Sequence, residues 1–96
     1  MTRAQLLTWL DTRRPVPPAA LRARLETSMT GGELPLPEHL AALGRVLLEG
    51  VASRPQGGRE LALDLLAADA LITYAFEAQA EQAVGGIARL AEGVPW

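Results

Sequence analysis

Between Leu61 and Phe76 the only polar residues are Asp64, Asp69 and Thr73, so a helix through this stretch is apolar on nearly every side. Helices of that kind are normally buried over most of their circumference. Only 96 residues are available to cover it, and a domain of that size buries roughly 60–65% of its unfolded surface. Three short neighbours of the same chain could hardly enclose such a helix over its whole length. A second chain or a ligand is expected to cover the remainder.

The rest of the composition agrees with a helical chain. Ala and Leu supply 17 residues each, whereas Val and Ile total seven and the aromatic residues four. That mixture favours helices and leaves little for strands, and no alternating strand pattern occurs. The expected fold is all-α: a small up-and-down bundle of three to five helices, one domain over residues 1–96, with a long apolar helix at about 59–83 as its spine.

Punctuation sets the expected boundaries. Thr2 and Gln5 have the capping-box spacing, and Leu6, Leu7, Trp9 and Leu10 then form an apolar face. Arg13 and Arg14 suit the negative end of the helix dipole and Pro15 stops the helix, giving a first helix at about 3–13. Pro17-Pro18 opens a second helix, in which Leu21, Leu25 and Met29 recur every four residues until Gly31-Gly32 ends it. Leu34-Pro35-Leu36-Pro37 reads as an extended connector, because each Leu precedes a proline. Pro37 and Glu38 open a third helix with Leu40, Leu43, Val46, Leu47, Leu48 and Val51 as its apolar set, and Pro55 closes it. Gly57-Gly58 releases the chain into the fourth helix, which Val84-Gly85-Gly86 is expected to break, leaving one or two turns from Ile87 to Glu92 before Val94-Pro95-Trp96.

Charge excludes several functions. The formal net charge is −2, so no global positive field exists to hold nucleic acid. Arg22 and Arg24 point to different sides of a helix, and no aromatic residues alternate with the arginines to stack on bases. Residues 1–30 carry five Arg against two acids, and residues 31–96 carry four Arg against nine. The halves therefore stand at +3 and −5 and are expected to pack on each other.

Chemistry is equally bounded. With no cysteine there is no disulfide, thiol nucleophile or thiolate metal site. Ser28 and Ser53 lack a nucleophile-elbow context, so no catalytic residue is assigned. His39 is the single histidine and reads as a surface residue; Glu-x-x-His does not occur, and no metal or cofactor is expected. Glu60/Asp64 and Glu77/Glu81 place carboxylates on one helix face, most simply as solvated rims at the two ends of the spine. The glycine doublets lack the pattern of a phosphate loop. Residues Met1 to Gln5 run into a charged segment without a signal-peptide core, and no window is apolar enough to span a membrane, which fits a cytoplasmic protein.

One line of residues is ambiguous. Asp69 and Thr73 are a turn apart inside the apolar stretch, with Tyr74 adjacent and Glu77 continuing the line. Buried, this strip would be a polar site whose carboxylate has a raised pKa; exposed, it is the wet edge of the helix. Two functions follow. The first is a non-enzymatic interaction or accessory protein that homodimerises through the 59–83 helix, Ala62, Ala67, Ala68, Ala70, Ala75 and Ala78 allowing close approach, with a protein partner as an additional possibility. The second is a helical binding protein, or a small enzyme, holding a hydrophobic molecule beside Asp69, Thr73 and Tyr74, in a closed pocket lined by Leu65, Leu66, Ile72 and Phe76.

Overall fold

A computed structural model describes residues 1–54 and 57–94. It contains four helices: α1 (Arg3–Leu10), α2 (Ala19–Ser28), α3 (Leu36–Ala52) and α4 (Arg59–Glu92). No strand is present among the described residues. The stop expected at Pro55 and the Pro95-Trp96 tail lie outside them.

The capping box forms as its spacing requires. Gln5 N–H donates to Thr2 Oγ1 at 3.1 Å, and Thr2 N–H donates to Gln5 Oε1 at 2.8 Å. Leu6 and Leu10 of α1 are buried against Leu25 and Met29 of α2, Leu40 of α3, and Ala67, Leu71 and Ala78 of α4. α1 stops at Leu10, earlier than the expected end near residue 13. Thr12 and Arg13 continue only in tight turns onto Trp9 and Leu10, and Pro15 disfavours helical backbone at Arg14, so the helix does not resume. Pro18 stands just before α2 as its cap residue. Leu36, expected in the extended connector, is already the first residue of α3; the proline after it falls in the first turn, where a missing N–H costs nothing.

α3 and α4 form an antiparallel pair, as the order of their contacts shows. Arg54 at the end of α3 meets Asp64, Gly44 in the middle meets Leu71 and Ile72, and Pro37 at the start lines a groove with Ala75 and Phe76. The crossing is close. A Cβ on Gly44 would stand 2.9 Å from Ile72 Cγ1, 3.2 Å from the Ala68 carbonyl and 3.3 Å from Leu71 Cβ. Leu40 is fully buried, but Val46 and Leu48 of the expected apolar set lie exposed, on sides of α3 that no other helix covers.

The main departure is α4. It runs without interruption for 34 residues, through Val84-Gly85-Gly86. Glycine costs about 1 kcal/mol per residue in a helix, which weakens but does not break one that is already nucleated and flanked by Ala, Leu and Arg. At 1.5 Å per residue α4 is roughly 51 Å long, and the molecule is accordingly 61 Å in its longest dimension but 24 and 20 Å in the others. α3, with 17 residues, is half its length. The buried positions of α4 end at Ala78, and its last dozen residues project beyond the other helices.

Candidate functional site

The buried arc of α4 is narrow: Asp64, Ala67, Ala68, Leu71, Ala75 and Ala78. Four of the alanines expected at a dimer interface are thus spent on packing within the chain, where their size lets α2 and α3 approach. Apart from Leu71, the largest apolar residues point elsewhere. Phe76, Ile87 and Leu90 are 73%, 67% and 73% exposed, and Leu65, Leu66 and Val84 are exposed as well. Leu65, Leu66 and Phe76 therefore do not line a closed pocket. Beside them runs a shallow groove between α3 and α4, floored by Pro37, Ala41, Ile72 and Ala75. Leu34 and Arg45 extend its lip.

The candidate strip divides between two sides of the helix. Asp69 and Thr73 are exposed on the outward side, among these apolar residues. Tyr74 is half-buried on another side, its ring edge-on to Trp9 at 5.8 Å and 77°. Burial pushes the Tyr74 phenol above its ordinary pKa, and the neighbouring Glu77 carboxylate adds to the effect. Glu77 accepts from Arg13 Nη1 at 3.2 Å, and Glu81 pairs with Arg13 Nη2 at 2.5 Å. Both carboxylates thus face one guanidinium, which also lies 3.8 Å from the centre of the Trp9 ring. Asp69, Thr73, Tyr74 and Glu77 do not converge on one volume.

The buried acid is Asp64, not part of a solvated rim as its spacing from Glu60 suggested. It is 8% exposed. Arg24 Nε donates to Oδ1, and Arg54 Nη2 donates to Oδ2 at 2.6 Å. Arg24 also donates to Ser28 Oγ at 2.8 Å, which holds the guanidinium over the acid. The bonds from Arg24 and then Arg54 hold the Asp64 carboxyl below its ordinary pKa, outweighing the opposing effect of burial. This cluster ties α2, α3 and α4 together at one end, as Arg13 does near the other. Arg13–Glu77, Arg13–Glu81 and Arg24–Asp64 all join the positive first half of the chain to the negative second half, the packing that the charge asymmetry implies.

His39 corrects a second expectation. It is 6% exposed, with Nε2 2.7 Å from the Thr30 carbonyl. Its ring fills the space beside Gly32, where a Cβ would collide with Cε1 and Nδ1. The doublet at 31–32 is thus more than a helix stop: Gly32 makes room for a histidine seven residues on.

Among the described residues no group of three or more His, Asp or Glu side chains is placed to hold a metal ion, and no helix is long and apolar enough to cross a membrane. No family model, curated protein or solved structure matches the chain. The functional reading therefore rests on its own surface.

Proposed function

We propose that this protein is a small interaction protein, without enzymatic activity, that acts by helix packing and self-associates through α4. In this reading the chain is an up-and-down bundle, α4 is its spine, and the outward side of that spine is the binding surface. One observation carries the proposal: six large apolar residues of α4, from Leu65 to Leu90, lie outside the core and continue past the point where the chain's own core ends. These six side chains, Leu65, Leu66, Phe76, Val84, Ile87 and Leu90, are 49–73% exposed. Soluble monomers rarely leave that much contiguous apolar surface in water.

Light scattering after gel filtration at low micromolar concentration tests the reading. The expected result is a single species of twice the chain mass. A monodisperse, fully helical and thermally stable monomer would overturn it.

A further inference from the structure

We infer that two copies pair antiparallel along α4, with the two-fold axis passing between Gln79 and Ala80, so that the projecting end of each helix lies on the bundle of the other. The inference rests on the self-association proposed above and specifies its geometry.

The projecting segment supplies the first reason. From Ala67 to Ala78 the side of α4 that faces its own bundle is apolar, four alanines and Leu71. Continuing on that same side by helical steps of four, seven and eleven residues from Ala78 gives Gln82, Gly85 and Arg89, which suit water. The outward side does the reverse. It remains apolar beyond the bundle, through Ala83, Ile87 and Leu90 to Val94 just past the helix end. An unsupported helical end carrying two glycines is marginal in water. Its apolar side requires a cover that lies along the outside of α4, where no other element lies among the described residues.

The second reason is the order of that outward stripe. On the bundle half it is Leu65, Asp69, Ile72 and Phe76; on the projecting half it is Ala83, Ile87, Leu90 and Val94. The steps between them are four, three, four, seven, four, three and four residues, the same read from either end. An antiparallel two-fold pair places each position against the one equally far beyond the axis. Phe76 then meets Ala83 of the second copy, Ile72 meets Ile87, Asp69 meets Leu90 and Leu65 meets Val94. The largest residue faces the smallest, and the two isoleucines face each other. Self-complementarity of this kind is what a two-fold interface demands of a single surface.

Neighbouring positions agree. Gly86 lies on the same flank of α4 as Ala75 and Gln79, the flank against which α3 packs. Two-fold symmetry brings it to the Pro37–Ala41 stretch of the second copy's α3, where absence of a side chain allows contact. Within one chain a Cβ on Gly85 or Gly86 would meet only the Arg89 guanidinium, so the single chain has no use for either glycine. The opposite flank, with Thr73, Ala80 and Val84, is small or apolar throughout.

The chain contains no cysteine, so introduced thiols report the geometry directly. Ala80→Cys places the two thiols beside the axis, whereas Ile87→Cys places them roughly 22 Å apart along it, far beyond disulfide reach. Under mild oxidation Ala80→Cys is expected to form a linked dimer at least tenfold faster than Ile87→Cys. An equimolar mixture of Ile72→Cys and Ile87→Cys is expected to link as the mixed pair. Light scattering on the reduced variants reads self-association separately, and circular dichroism reads folding. A reduced dimer in which Ile87→Cys links as fast as Ala80→Cys would overturn the antiparallel register while leaving self-association intact. Folded but monomeric variants would overturn both.

Discussion

The two halves of α4 are built to opposite plans. From Arg59 to Ala78 the helix is held on its inner side by an alanine-rich seam, the close crossing at Gly44 and an acid clasped by two arginines. From Gln79 onward the inner side is polar or glycine, and the apolar residues stand outside. The first half is stabilised by burial within one chain. The second has the same helical backbone but, among the described residues, no partner for its apolar side. Continuous helix is therefore not continuous support, and the difference locates the surface at which a second molecule contributes most.

The largest effect is expected where the second half is broken. Ile87→Asp puts a carboxylate in the middle of the projecting apolar side, at a cost of about 3 kcal/mol or more if the site is desolvated in a dimer, which is a loss of over a hundredfold in affinity. Analytical ultracentrifugation should show a folded monomer, with helix loss confined to the last turns. The core residues of the first half do not touch Ile87, so the melting temperature of the monomer should hardly move.

Gly44→Val probes the first half instead. The added methyls meet the Ala68 carbonyl and Leu71, neither of which can retreat without opening the α3–α4 seam. Overpacking of this kind costs typically 1–3 kcal/mol, read by denaturant unfolding. Self-association should suffer less than with Ile87→Asp, since Gly44 lies on the inner side of the pair.

These halves were not equally legible in the sequence. The all-α class, the Thr2–Gln5 capping box and the core role of Leu25 and Met29 depend on steps of three or four residues, which a linear reading sees. Asp64 is different: its partners lie 10 and 40 residues away, and only the arginine excess of the first half hinted at them. His39 is buried because Gly32 leaves room, a fact of loop shape. The Gly85-Gly86 doublet was a close contest between glycine's cost and propagation of a formed helix. The outward stripe was hidden because Leu61–Phe76 is apolar all round, so only the position of α3 distinguishes inside from outside.

Asp64 gives a pH-dependent test of the first half. Its pKa is lowered in the fold, from an ordinary 3.8. The stabilisation it provides is complete above the unfolded value and disappears as pH falls below it toward the folded one. Replacing Asp64 with Asn should cost about 1–3 kcal/mol at pH 7, less than a fully buried ion pair because Arg54 is 44% exposed. The variant and the parent should converge in stability as the pH is taken from 5 to below 3, measured by urea melts. A difference independent of pH would assign the effect to packing.

The smallest expected change on folding, and the sharpest on the comparison, is Asp69→Leu. Asp69 is exposed in one chain, so its replacement should alter monomer stability by no more than about 0.5 kcal/mol. In the antiparallel pair it faces Leu90 of the second copy, and it is the single ionised residue in the outward stripe. Covering it forces a carboxylate to give up part of its hydration without a cation in return. Asp69→Leu should therefore tighten self-association about three- to tenfold, equivalent to about 0.7–1.4 kcal/mol, while leaving the monomer's urea midpoint unchanged. A fall in affinity would mean that Asp69 has a polar partner in the complex. Lack of any change would mean that the contact stops short of Asp69 and its opposite residue Leu90, confining it to the stretch from Ile72 to Ile87 around the axis.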